Sequence, residues 1–116
     1  MRIGLIGLGH MGRYHARILS ESEEVDFVGA VDPLGDRHRS VRSGRVFEKV
    51  EELLDEGIEA AIVAVPTIHH REVALKLAAA RVHTLIEKPL AESVEAAIEI
   101  RDAYAEGWRD RSRWAC

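Results

Sequence analysis

The chain holds a single cysteine, Cys116, among its 116 residues. That excludes an internal disulfide and any cysteine-based zinc site built within one chain. No apolar run approaches the roughly 18 residues needed to cross a bilayer. There is no basic excess: 16 Lys and Arg stand against 20 Asp and Glu, for a net charge of -4. Nucleic acid and anionic membrane surfaces need a basic footprint, so neither is expected as a partner. No internal repeat or low-complexity segment is present, and the N-terminal residues enter a strand-like pattern with no small-residue cleavage site, so no secretory leader is expected. What is there is a balanced composition, 47% hydrophobic and 31% charged, which is that of an ordered globular chain. The length suits one domain with a single sizeable core. A soluble, cytoplasmic single domain is the expected class.

Apolar periodicity alternates along the chain between short continuous runs and helical spacing. Residues 3–6 form an apolar strand interrupted only by Gly4. A helix follows in which Met11, His15, Ile18 and Leu19 share a face. Residues 25–31 read as a second strand, punctuated afterwards by Pro33 and Gly35. A short helix is expected over 36–42 and a short strand at Val46 and Phe47. Val50, Leu53 and Leu54 recur at helical spacing ahead of a terminating Gly57. Residues 60–65 are apolar throughout, as suits a strand buried on both faces. Val73, Leu77 and the alanines to Ala80 form a helix with Thr67 as its expected N-cap. Residues 82–86 are a fifth strand and 93–104 a last helix capped by Ser93. Such alternation predicts an α/β fold of the doubly wound, Rossmann type: about five parallel strands in the order 3-2-1-4-5 with helices on both faces. Residues 1–106 constitute that domain. Residues 107–116, which carry both tryptophans, the cysteine and three arginines, have no period. They read as an irregular, solvated end rather than a basic-aromatic contact segment.

Gly7-x-Gly9-x-x-Gly12 follows a strand and opens a helix, the context in which this spacing signals dinucleotide binding. Gly7 permits the tight turn, Gly9 leaves room for a pyrophosphate against the backbone, and Gly12 lets the helix pack close to the sheet. Amides near His10 and Met11 then face phosphate oxygens. Asp32 ends the second strand a little over 20 residues later. Its carboxylate suits the adenosine ribose hydroxyls and repels a 2′-phosphate, which favours NAD; Arg37 and Arg39 nearby keep NADP possible. Alternatively, Asp32 serves only an Asx turn beside Pro33. His10, His15, His69, His70 and His83 show no metal-ligand spacing, and no metal is expected. No serine-nucleophile elbow occurs.

Three segments carry a wider resemblance. Gly-Leu-Ile-Gly-Leu-Gly-His-Met-Gly-Arg-Tyr-His-Ala (4–16), Ala-Val-Pro-Thr-Ile-His-His (64–70) and Glu-Lys-Pro-Leu-Ala (87–91) resemble the signatures of the Gfo/Idh/MocA oxidoreductases. The resemblance runs to about Ala105 and implies the family's N-terminal NAD(P)-binding domain. It implies hydride transfer at a sugar, cyclitol or related hydroxyl. By the same resemblance, Val65, Pro66 and Thr67 form the turn beside the nicotinamide half of the cofactor, and His70 matches the family's following histidine. Glu87 and Lys88 belong to the loop after the fifth strand, with Lys88 near the reacting carbon as the catalytic candidate. An ammonium there stabilises alkoxide character developing on the substrate oxygen. Read without the resemblance, His70 is a surface or capping residue and Lys88 a solvated loop charge. Arg81 stands where the family has a helix-ending glycine, at a cost of about 1 kcal/mol of backbone strain.

The resemblance also implies a sixth strand and a second α/β domain holding the acid/base histidine, the substrate pocket and usually the oligomer interface. This sequence shows none of them. A truncated piece, an early-ending gene and a tail read out of frame are all compatible with that. The expected function is therefore the dinucleotide-binding half of an NAD(P)-dependent oxidoreductase, inactive alone and acting on a small polyol or sugar only if a second domain is supplied. The alternative is a stand-alone NAD(P)(H)-binding or redox-sensing module without catalysis. With no sixth strand, the fifth becomes an exposed apolar edge, so a homo-oligomer joined through that edge or the last helix is expected.

Overall fold

The computed structural model describes residues 1–88 and 90–109, with side chains through Glu106. Strand β1 (Arg2–Ile6) is followed by α1 (Gly12–Glu21), β2 (Asp26–Val31), β3 (Arg45–Phe47) and α2 (Val50–Asp55). Then come β4 (Ala60–Val63), a 3-10 turn (Thr67–His69), α3 (His70–Ala79), β5 (His83–Ile86) and α4 (Val94–Arg109). The five strands form one sheet in the order β3-β2-β1-β4-β5, and every pairing is parallel. This is the topology expected from the alternation of runs and helical spacing. Among the described residues no helix is long and apolar enough to cross a membrane.

Because successive strand side chains point to opposite faces, the central strand feeds two cores. Leu5 packs with Leu8, Ala16, Leu19, Phe27 and Ala30 on the face covered by α1. Ile6 packs on the other face with Val31, Phe47, Leu53, Val63 and Leu77, under α2 and α3. Phe27 and Ala30 are an odd number of residues apart yet share a core. The reason is an irregularity between β1 and β2: Ile3 pairs with Phe27 but Gly4 with Gly29. The extra residue, Val28, reverses the alternation in the middle of β2.

Three local expectations are corrected. No helix forms over 36–42. The Asp36 carboxylate instead takes the amides of Ser40 and Val41 and the Ser40 hydroxyl, and Arg39 turns left-handed with φ 50°. Partial burial pushes the Asp36 carboxyl up, but those hydrogen bonds from Val41 and Ser40, with the nearby His38 charge, hold it below its ordinary value. A side chain that satisfies the amides of a loop removes the incentive to make a helical turn. The buried face of α1 is Gly12, Ala16 and Leu19, one position round from the expected stripe; Ile18 is 66% exposed. Small residues win this face because the helix lies close to the sheet. Thr67 is not a side-chain cap; it opens the 3-10 turn, and the backbone NH of His70 donates to its carbonyl.

The last helix is capped as expected, the amide of Ala96 donating to Ser93 Oγ at 3.1 Å. It continues to Arg109, three residues into the segment expected to be irregular; the expectation for 110–116 lies outside the described residues. Tyr104 on α4 meets the hydroxyl of Thr84 on β5; burial raises its phenol pKa, against the opposing effect of that bond.

Helix α3 ends in a Schellman turn. The amide of Val82 donates to Leu77 O and that of Arg81 to Ala78 O, both at 3.0 Å, and Arg81 has φ 62°. A side chain in this left-handed region is strained, whereas glycine is not. Arg81→Gly should therefore raise the unfolding free energy by about 1 kcal/mol. The expected readout is a higher urea midpoint with unchanged slope. An unchanged or lower midpoint would show that the turn carries no strain.

Candidate functional site

A cleft of about 860 Å³ opens at the carboxyl ends of β1, β2 and β4, with Glu87 after β5 on its rim. This is where the sheet order reverses between β1 and β4, the position at which open α/β sheets bind ligands.

The turn after β1 forms one wall. Gly7 has φ 104°, and a Cβ there would lie 2.6 Å from the Ala64 carbonyl. A Cβ at Gly12 would lie 1.9 Å from the Gly7 carbonyl, so only glycine lets α1 start this close to the sheet. Gly9 has nothing within 4 Å of its Cβ position; the space above it is open to a ligand. No acceptor among the described residues takes the amides of Gly9, His10 or Met11. The first turn of α1 has no acidic residue and no side-chain cap. Unpaired amides at an uncapped helix start make a corner of the kind that suits an anion. His10 and Met11 line it.

Asp32 lines the second wall and is 8% exposed. Its Oδ2 accepts from the Leu8 amide at 2.9 Å and its Oδ1 from the Leu34 amide at 2.8 Å. The second contact is the Asx turn set against a ribose role in the sequence. The first is new, binding the β2 end to the glycine turn. A carboxylate has about four lone-pair sites, so two amides leave acceptor capacity toward the cleft. Arg37 lines the same end. At the far side Lys76 pairs with Glu51 at 3.3 Å and Glu72 at 3.6 Å. The Glu51 carboxyl sits below its ordinary value because of its own backbone amide first and Lys76 next.

The remaining candidates divide. Val65, Pro66 and Glu87 line the cleft, as does His69, which the sequence reading passed over. Thr67 and His70 do not. His70 is 2% exposed, with Nε2 2.9 Å from Val65 O and Nδ1 3.1 Å from Leu90 O. A ring so enclosed offers almost no surface to a cleft ligand; it backs the Val65 carbonyl from behind the cleft wall. Lys88 does not line the cleft either; it is exposed beside Glu87 and makes no hydrogen bond or ion pair among the described residues. Glu87 Oε1 meets His15 Nε2 at 2.7 Å. That pair was not foreseen: its members are 72 residues apart, and the only local hint is that His15 stands one turn after Gly12.

A family model described as "Oxidoreductase family, NAD-binding Rossmann fold" matches residues 1–107. The chain is 38% identical over 104 residues to a glucose-6-phosphate 3-dehydrogenase of Bacillus subtilis, covering 87% of this chain and 29% of that protein. It resembles the structure of a UDP-N-acetylglucosamine 3-dehydrogenase from Acidithiobacillus ferrooxidans with a TM-score of 0.80 at 35% identity, over 91% of this chain and 35% of the other. GenD2 from gentamicin A biosynthesis, whose structure is a complex with NAD, gives a TM-score of 0.78 at 28% identity, over 91% and 32%. The chain thus spans about a third of the length of these relatives. With the glycine turn, the strand order and the cleft at its reversal point already in agreement, the chain belongs to the Gfo/Idh/MocA oxidoreductase family, and residues 1–107 are its NAD-binding Rossmann fold.

Proposed function

We propose that this chain binds NAD in preference to NADP, with pyrophosphate at Gly9, His10 and Met11 and the adenosine ribose at Asp32. In a longer protein with a substrate domain, it serves oxidation or reduction at a hydroxyl of a sugar, cyclitol or related compound. The observation that carries the reading is the buried Asp32 carboxylate, held by Leu8 and Leu34 beside the unpaired amides of the glycine turn. A dinucleotide fits these residues: the space above Gly9 is open, and Asp32 retains acceptor capacity for hydroxyls while opposing a 2′-phosphate. The relatives' names, both sugar dehydrogenases, support the substrate class.

When bound, the nicotinamide supplies the hydride acceptor or donor. This chain's residues would bind and orient it: Val65 and Pro66 line the cleft and would border its nicotinamide half, and Lys88, next to the lining residue Glu87, would supply an ammonium for a substrate oxygen. Proton transfer needs a group within hydrogen-bond reach of the substrate hydroxyl. Lys88 and the enclosed His70 do not line the cleft, so the chain alone should bind dinucleotide without turnover. A non-catalytic binding module would behave the same way in isolation; activity on addition of a substrate domain separates the two.

Leu85 on β5 is 62% exposed, and Val94 and Ile98 on α4 are exposed too. A hollow of about 480 Å³ lies between β5 and α4, lined by Leu85, Ile86, Leu90 and Ile100. Apolar surface beside an open strand edge favours self-association. We infer a homo-oligomer through this face.

Asp32→Asn keeps an acceptor for one amide and removes the charge. NAD affinity should fall on the order of tenfold, the loss of a hydrogen bond to a charged group, while NADP affinity falls less or rises; equal losses by calorimetry would show that Asp32 does not read the ribose. Gly9→Ala should weaken the dinucleotide with little change in thermal midpoint, whereas Gly12→Ala should lower the midpoint itself because its Cβ meets backbone. If Gly9→Ala leaves affinity intact, the pyrophosphate lies elsewhere. With NAD and a panel of polyols, sugars and cyclitols, absorbance of reduced cofactor should not rise above the blank; turnover abolished by Lys88→Ala would make this a minimal dehydrogenase. Sedimentation should give a dimer or larger species, and a concentration-independent monomer mass would count against the β5 face.

A further inference from the structure

We propose that His15 and His70 are positioning residues that fix the loop after β5 from two different helices and thereby hold Lys88 next to Glu87, the residue of this loop that lines the cleft. The parallel ladder does little for this loop: its last contact, the Glu87 amide to Val63 O, is stretched to 3.5 Å. Side chains take over. On one side of Lys88, Glu87 Oε1 is held at 2.7 Å by Nε2 of His15, which rises from the first turns of α1; both partners are about 30% exposed. Beyond it, the Leu90 carbonyl is held at 3.1 Å by Nδ1 of His70, from the start of α3.

The His70 ring spans two carbonyls, of Val65 and Leu90. Carbonyl oxygens only accept, so the ring nitrogen that carries the proton donates to its carbonyl, and the tautomer decides which of the two is bonded. The same imidazole sits between the loop after β4, which borders the cleft at Val65 and Pro66, and the loop after β5, and a proton on Nδ1 makes the Leu90 contact the hydrogen bond. His15 ties that second loop to the helix that opens behind the glycine turn. Glu87 and Leu90 are thus pinned, and Lys88 between them is exposed without a bond of its own among the described residues. A lysine that must meet a substrate oxygen needs a fixed backbone and an unengaged ammonium, and this arrangement supplies both.

The consequence for Lys88 rests on the proposed function, but the clamp itself is testable on the full chain without dinucleotide. Amide relaxation by NMR at Glu87, Lys88 and Leu90 is the readout, with Leu5 and Val63 as core controls. In the unsubstituted chain the loop should be as rigid as the core, with order parameters near ~0.85, falling below ~0.6 at Glu87 and Lys88 in His15→Ala. His15→Gln, which keeps a donor for Glu87, should restore most of the rigidity. His70→Gln, chosen because an alanine in so enclosed a site threatens folding, should loosen Leu90 selectively while Leu5 and Val63 stay rigid. The ring 15N shifts of His70 should show a proton on Nδ1. Equal rigidity of Lys88 in His15→Ala and in the unsubstituted chain would overturn the proposal, as would core amides loosening together with the loop. Adding NAD then separates the two readings: a loop that obeys the clamp while its Lys88 amide ignores NAD would leave the clamp standing and remove the lysine's assigned place.

Discussion

The carboxylate of Asp32 joins the turns that follow two neighbouring strands, one oxygen on the Leu8 amide and the other on the Leu34 amide. In a parallel sheet, consecutive strands are linked only by long crossovers, and the backbone ties the glycine turn to the end of β2 through the Gly7 amide on Val31 O but not beyond it. A buried carboxylate that accepts amides from both supplies the missing constraint, and hydrogen bonds to a charged acceptor are about twice as strong as neutral ones. Its position makes the glycine turn, the end of β2 and the cleft between them one rigid corner.

Close backbone approach completes that corner. With a Cβ at Gly12 reaching 1.9 Å from the Gly7 carbonyl, α1 can sit against the sheet only because both positions lack side chains. The same proximity decides which face of α1 is buried, since Gly12, Ala16 and Leu19 tolerate contact that a stripe containing Met11 and Ile18 would not. Tight packing leaves the amides of His10 and Met11, which line the cleft, without an acceptor among the described residues. Binding capacity here follows from packing geometry, not from an added set of charged side chains.

On the opposite flank the sheet is less well secured. β5 pairs on one side only, Leu85 is largely exposed, and the loop beyond carries Lys88. Histidines from α1 and α3 reach this loop across the ends of the sheet. The rigid half of the cleft therefore extends its hold to the half with the fewest backbone constraints.

Local patterns in the chain determined a great deal: the parallel order, the two buried central strands, the glycine turn and the cap at Ser93, while the left-handed end of α3 at Arg81 was expected only from the family resemblance. These follow from periodicity and from backbone demands that act over a few residues, so the residues that answer them are neighbours in the sequence. Asp32 was legible as a site residue, yet only half of its work was: its Asx turn is local, its hold on Leu8 is not. The helix expected over 36–42 failed because the Asp36 side chain satisfied the loop amides, a competition that spacing does not register. His15 with Glu87, and His70 between Val65 and Leu90, could be decided only by tertiary structure, because each joins segments that meet where strands end side by side. A histidine's sequence position shows what it can donate, but the fold alone determines which oxygen comes within reach.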